Sequence, residues 1–326
     1  MPIALLASLR RSVVASVDSH STDVTAGLTP AQARKIDVFR AVPFMLIHLA
    51  CIAIIWVGIS WWAVGLALGL FWLRMFGITG AYHRYFSHRT YRTSRVMQFL
   101  LAVLGNSSVQ RGPLWWAAHH RKHHRYSDQP EDAHSPKQDG FWWSHCLWFL
   151  SRQHYCTDLK SVPDLAKFPE LMFLDRFDWF VPMLLGVSCF TLGGVLAAAG
   201  ADTSSWQLFI WGFCVSTVMT AHGTFTINSL AHVWGKRVFP TEDTSRNNFW
   251  LALLTLGEGW HNNHHHYQSS ARNGFRWYEI DITWYVLWSM ERVGLVWDCK
   301  RVPETVMAER RRLLTKDPLT RTATAS

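Results

Sequence analysis

The chain has 326 residues, of which 49% are apolar and only 17% charged, with a formal net charge of +9 and 19 tryptophans. A soluble domain carries roughly 25% charged residues, so this composition excludes an ordinary water-soluble protein. Tryptophan at this density suits the membrane–water interface, where the ring is half wet.

Residues 1–18 partly resemble a signal peptide, but Arg10 and Arg11 follow the apolar stretch instead of leading it. No cleaved signal is read there, and a surface-lying segment is the alternative. Thr29-Pro30-Ala31-Gln32 has capping-box spacing with proline at the first helical position, which predicts the start of a short helix. From Val42 to Leu73 there is no Asp, Glu, Lys or Arg. That run exceeds the ~20 residues of one crossing and divides at Gly58-Ile59-Ser60, giving spans at about 42–58 and 61–80. A second apolar pair covers about 180–200 and 206–227, with its turn at Gly200–Ser204. The reading is an all-α integral membrane protein with four transmembrane helices in two hairpins. Residues 1–41 form a cytosolic or interfacial segment, 42–303 a single membrane domain, and 304–326 a polar tail expected to fray.

Lys/Arg counts in short flanks set orientation. Arg34, Lys35 and Arg40 precede the first span; Arg74, Arg84, Arg89, Arg92 and Arg95 are read as following the second; the hairpin tips carry none. Both tips therefore face away from the cytosol, which suggests a bacterial inner membrane with the polar segments on its cytoplasmic face. The +9 charge fits a surface lying on anionic lipid and equally the positive-inside bias alone. No nucleic-acid partner is expected. Six cysteines form no C-x-x-C pair and read as reduced and structural.

The polar segments carry three histidine clusters: HRYFSH (His83, His88), HHRKHH (His120, His123, His124) and HNNHH (His261, His264, His265), with NSLAH (Asn228, His232) ahead of the last. Imidazole binds iron, zinc and copper well, and four ligands usually satisfy one zinc ion, so nine candidates imply two metals. The i, i+3, i+4 spacing of the second and third clusters puts each triad on one helix face, where two triads can face each other. The gap of five in HRYFSH turns His88 well off the face of His83 on an α-helix, which places the pair where the second span ends and bends. Asn228 either ligates, directly or through water, or caps a helix end. His119 and His266 flank the triads and read as supporting or surface residues; His134, His145 and His154 as structural; His48 and His222 as hydrogen-bonded groups within spans; His20 carries no signal. There is no G-x-G-x-x-G, Walker A loop or C-x-x-C-H haem site. A redox reaction would draw its electrons from a separate protein.

These motifs resemble the membrane fatty-acid desaturases of the stearoyl-CoA (Δ9) type. The resemblance spans roughly residues 40–303 and rests on HRYFSHRTYRTS at 83–94, HHRKHHRYSDQPEDAHSPKQDGFWWSH at 119–145, NSLAH at 228–232, GEGWHNNHH at 257–265 and RWYEIDIT at 276–283. It implies a helical cytosolic cap and a di-iron (Fe2+) centre held by His83, His88, His120, His123, His124, His232, His261, His264 and His265, with Asn228 reaching one iron through water. Gln110 and Trp116 match residues near the bend of the family's acyl tunnel. The implied reaction is oxygen-dependent insertion of a cis double bond, at Δ9, into a saturated acyl chain carried on CoA or a lipid. The implied electron donor is a ferredoxin, a rubredoxin, or cytochrome b5 with its reductase. Ala118 and His119 depart from the Arg-Asp pair of the animal acyl-CoA enzymes, and the wording around GEGWHNNHH is similar to the bacterial branch. The alternatives are a membrane di-iron hydroxylase or ketolase and, from another class, a metal-binding membrane protein or transporter.

Overall fold

The computed structural model describes residues 13, 17–22 and 25–316. The N-terminal segment read as signal-like lies largely outside them, as do residues 317–326. Among the described residues the protein is helical, apart from a two-residue ribbon in which β1 (Arg92–Thr93) pairs antiparallel with β2 (Val296–Trp297). The short helix α1 (Pro30–Ala33) carries the capping box: Thr29 Oγ1 accepts from the Gln32 amide, and the Gln32 side chain accepts from the Thr29 amide.

Among the described residues, four helices are long and apolar enough to cross a membrane: α2 (Val38–Val57), α3 (Trp61–Ser87), α7 (Phe180–Ala198) and α8 (Ser205–Val233). Their outer ends stop where the sequence dictates. Gly58 and Gly200 adopt φ of +71° and +87°, the left-handed turn that ends a helix at little cost only for glycine. Ser60 and Ser204 then cap α3 and α8, accepting from Ala63 and Gln207 amides at 3.2 and 3.1 Å. Gln207 ties the two tips together through Ser60 Oγ and the Val57 carbonyl. Trp56 and Trp61 stand exposed at this end, as interfacial tryptophans do.

The inner ends depart from the composition-based reading. Helix α3 continues past residue 80 to Ser87, so Arg74 and Arg84 lie inside it, each 1% exposed. They are not solvated flanking charges, whereas Arg89, Arg92 and Arg95 follow the helix. Arg74 is satisfied by neutral acceptors: the Leu70 and Ser107 carbonyls, Thr217 Oγ1 and Ser216 Oγ. Arg84 is paired with Glu258 and Asp281, both at 3.0 Å. Composition counts such arginines as wet because it cannot see their partners.

A helical cap at the far end from the hairpin tips is built from α4 (Arg95–Asn106), α5 (Pro113–Tyr126), α6 (Pro169–Arg176), α9 (Phe249–Leu254), α10 (His261–His266), α11 (Ile282–Arg292) and α12 (Glu304–Lys316). Its core runs from Ile78, Tyr82 and Phe86 of α3 through Leu101, Leu114 and Ala118 to Leu171, Trp284 and Leu287. Residues 304–316 do not fray: they form α12, which packs Val306, Met307 and Leu313 against Phe239 and Phe275. Arg310, 3% exposed, makes a bidentate pair with Glu279. The polar sequence hides this contact because its carboxylate partner lies 31 residues away.

Two outcomes are expected. In a cysteine-free background, a lone cysteine at Asp202, on the second hairpin tip, reacts with an impermeant thiol reagent on intact cells, whereas one at Lys137 reacts only after permeabilisation. Arg310→Ala strands the Glu279 carboxylate and lowers stability by about 3–5 kcal/mol, measured as an early thermal transition and cleavage within α12 under limited proteolysis.

Candidate metal centre

The inner half of α3 supplies the first ligand candidates by leaving the α-helical path. Gly77–Ser87 winds as a π-helix, and the His88 amide donates to the His83 carbonyl at 3.2 Å. Five residues on an α-helix would turn His88 about 140° away from His83. An i→i+5 turn instead returns it to nearly the same face, and the two rings lie 4.8 Å apart. The expectation that the gap of five separates this pair is thus corrected.

Helix α5 is set by its N-terminus. Asp175 Oδ1 accepts from the Leu114 and Trp115 amides at 2.8 and 2.7 Å. Gly112 is needed there, since a Cβ would stand 2.3 Å from the Asp175 backbone. Helix α10 is held by the two asparagines of HNNHH. Asn262 accepts from the Val238 and Phe239 amides, and Asn263 donates to Glu279 and the Asn273 carbonyl.

These elements bring all nine histidines into two groups. His83, His88, His120, His124 and His264 form one and His123, His232, His261 and His265 the other; within each group the nitrogens lie within 4.8 Å of one another. Each triad straddles both groups: α5 sends His120 and His124 to the first and His123 to the second, while α10 sends His264 to the first and His261 and His265 to the second. His83 and His124 both point Nε2 at His264 Nε2, at 3.0 and 2.9 Å; His88 meets His120 at 2.8 Å and His232 meets His261 at 3.1 Å.

Carboxylates lie behind the rings. His123 Nδ1 donates to Asp132 at 3.0 Å and His265 Nδ1 to Asp243 at 2.7 Å. His83 Nδ1 lies 2.7 Å from Glu258 in ion-pair range but off the line of a hydrogen bond, and His232 Nδ1 lies 3.5 Å from Asp128. A proton on Nδ1 turns the Nε2 lone pair inward. Burial opposes the charged form of Asp128, Asp132 and Asp243, but their histidine partners outweigh it and hold all three carboxyls well below the usual range. Burial, then neighbouring imidazoles, pushes His88, His120, His124, His261 and His264 well below the ordinary histidine value. Burial takes His265 down to about 4 against the pull of Asp243. His123 moves the other way, because Asp132 outweighs its burial.

Neutral, convergent imidazoles backed by carboxylates are the donor set of a transition-metal site. The buried His265 Nε2 has no hydrogen-bond partner, which leaves an uncompensated lone pair that a cation would satisfy. The residues therefore fit two metal ions. The four carboxylates were not singled out in the sequence; only burial distinguishes them from solvated acids.

Gln110, Trp116 and Asn228 line one cavity of about 630 Å3 that also reaches His120. Trp116 stacks on His120 at 4.8 Å, and Gln110 donates to Thr224 Oγ1 at 3.0 Å. The Asn228 carbonyl accepts from Ser144 Oγ where α8 breaks at Ser229. His119 lines the same cavity beside Trp115 and Trp148, and burial lowers it to about 4. His134 stacks on His123; His266 stacks on Phe239 and pairs with Glu309; His20 pairs with Asp175. His48, His222 and His145 form a hydrogen-bonded row ending at Ser229.

The chain matches the family model described as fatty acid desaturase over residues 59–299. It is 34% identical over 283 residues to Delta-9 acyl-lipid desaturase 1 of Arabidopsis thaliana, covering 86% of this chain and 88% of that protein. It is 36% identical over 260 residues to the sn-1 stearoyl-lipid 9-desaturase of Anabaena variabilis, covering 79% and 91%. It is 34% identical over 309 residues to Acyl-CoA 5-desaturase AL21 of Anemone leveillei, covering 93% and 92%.

Replacing Asp243 or Asp132 by Asn keeps the shape but removes the carboxylate behind a ring. Metal affinity should fall on the order of 10–100-fold, with the protein still inserted and folded. Metal content by mass spectrometry after dialysis against a graded chelator series reads this, and unchanged retention in both variants would remove the carboxylates from the site.

Proposed function

The chain belongs to the fatty acid desaturase family, and on that premise we propose that its two histidine groups hold two ferrous ions beside an acyl-binding cavity. The protein is an integral membrane oxidoreductase of lipid metabolism that inserts a double bond into a fatty acyl chain. The observation that carries the iron reading is the convergence of His83, His88, His120, His124 and His264, and of His123, His232, His261 and His265, against an apolar cavity that reaches His120. Asn228 lines that cavity and is the tenth member of the set, acting through water.

An unactivated methylene lies beyond the reach of any side chain, and bound iron supplies the O2 chemistry that cleaves its C–H bonds. The protein's own work is orientation. Asp132 and Asp243 accept from His123 and His265 Nδ1, Thr244 Oγ1, itself bound to Asp128, meets His232 Nδ1, and Glu258 stands beside His83, so that the Nε2 lone pairs converge. Trp116, stacked on His120, forms the wall against which the chain passes the metal site. The Gln110–Thr224 hydrogen bond keeps the buried amide occupied, so that the neighbouring wall stays effectively apolar. Small displacements at such a site cost rate steeply. The double bond is cis and at Δ9, the position named for the Anabaena and first Arabidopsis relatives.

Removing two hydrogens while O2 goes to two waters consumes two electrons and two protons. The electrons come from a separate ferredoxin, rubredoxin or cytochrome b5 system. The enzyme sits in the bacterial inner membrane with the histidines on the cytoplasmic side, supported by Arg89, Arg92 and Arg95 following α3.

Iron-loaded protein given a stearoyl substrate, O2, NADH and a ferredoxin with its reductase should form a product two mass units lighter. Omitting the redox proteins should limit it to at most one turnover. A gain of sixteen units would mean a hydroxylase, and sustained turnover on NADH alone would overturn the external-donor reading.

A further inference from the structure

We propose that Arg74 is a positioning residue: from inside the membrane it fixes the cavity against the histidine groups and so decides which pair of methylenes loses hydrogen. This deepens the desaturase reading above and rests on it.

Arg74 is a buried cation without a counter-charge. It lies within the membrane-spanning helix α3 and is 1% exposed. A charged side chain in that position is costly and is a functional candidate by default. Among the described residues no carboxylate pairs with it. Its nitrogens donate to neutral oxygens instead: Nε to the Leu70 carbonyl at 3.3 Å, Nη1 to the Ser107 carbonyl at 3.1 Å and to Thr217 Oγ1 at 2.8 Å, and Nη2 to Ser216 Oγ. An apolar side chain of similar volume would fill the same space without the desolvation cost. What the guanidinium adds is a rigid fork, here spanning two elements, the turn after α4 and the wall of α8.

Both elements face the acyl cavity. Val109, Gln110 and Arg111 of the turn and Thr217, Ala221 and Thr224 of α8 line it where it reaches His120. Arg74 thus holds two walls from behind, and it does so from the helix that carries His83 and His88. The same walls meet a second time where Gln110 donates to Thr224 Oγ1 at 3.0 Å.

The turn is also under strain. Val109 and Arg111 take φ of +60° and +73° on either side of Gln110, a region that a β-branched residue avoids. Such backbone persists only where its surroundings over-determine it. Helix α3 supplies that restraint at both ends of the turn. Arg74 holds the Ser107 carbonyl, and its own carbonyl accepts from Ser108 Oγ at 3.0 Å; Tyr82 Oη donates to the Arg111 carbonyl at 2.9 Å. Gln110 is therefore held in fixed register with His83, the next residue after Tyr82. Without the Arg74 fork the turn relaxes, and the wall shifts along the acyl chain relative to the metals. Adjacent methylene pairs differ by little more than a bond length, so register selects between them where affinity does not.

The test expresses the full chain in a host with no desaturase of its own and maps product double bonds by mass spectrometry of their dimethyl disulfide adducts. The unaltered protein should give one dominant positional isomer. Arg74→Met should raise the share of the neighbouring isomers about tenfold, since a misplacement of about 1 Å changes rate on the order of 100-fold. Arg74→Lys keeps the charge but cannot fork across both walls, and should fall between the two. Ser216→Ala removes one acceptor at a fully buried position behind the wall and should shift the ratio in the same direction by a smaller factor. A merely structural Arg74 would lower product and thermal stability together and leave the isomer ratio alone. That unchanged ratio in Arg74→Lys and Ser216→Ala overturns the proposal, and these two variants decide if Arg74→Met fails to accumulate. Absence of product from the unaltered protein would instead count against the desaturase reading.

Discussion

Nine imidazoles converging in a buried volume are the constraint on which the rest of this molecule depends. Facing Nε2 lone pairs at about 3 Å, as between His264 and both His83 and His124, cannot all satisfy one another. The arrangement is favourable only with cations between the rings. The chain meets its share of that requirement by lowering the proton affinity of six of the nine imidazoles through burial and by drawing the Nδ1 protons of His123 and His265 outward to Asp132 and Asp243. This explains why Asp128, Asp132, Asp243 and Glu258 are buried in a chain with so few charges.

A second layer of polar contacts carries the constraint outward. Glu258 is shared between His83 and Arg84, and Arg84 also holds Asp281, which accepts from the Asn273, Gly274 and Trp284 amides. Glu279 joins Asn263 to Arg310, so α12 braces α10 across the cap. On the membrane side, Trp116 stacks on His120 and lines the cavity, so one ring contact joins the cavity wall to the histidine group. The peripheral position of α2, in contrast, leaves one side of the cavity lightly covered.

The hairpins were legible because crossing a membrane demands a long uncharged run, and Gly58, Ser60, Gly200 and Ser204 are the residues a tight turn and a helix cap require. The histidines were legible because i, i+3, i+4 spacing has geometric meaning on a helix. Spacing alone does not show that His83 and His88 share a face, because spacing arguments assume an α-helix and α3 changes to a π-helix where the pair sits. Arg74 and Arg84 were counted as wet flanking charges because composition does not show a partner over a hundred residues away. The final segment read as fraying because its arginines looked solvated until Glu279 met Arg310.

The sequence by itself determined the membrane class, the two hairpins and the identity of the residues that cluster, since these follow from local periodicity and transfer energetics. Tertiary structure decided how those residues divide. It split each histidine triad between two groups and selected four carboxylates from 23 acidic residues to stand behind the rings. Such choices depend on which distant side chains share a buried space, because only desolvation separates a structural ion pair from a solvated charge and a ligand from a surface histidine.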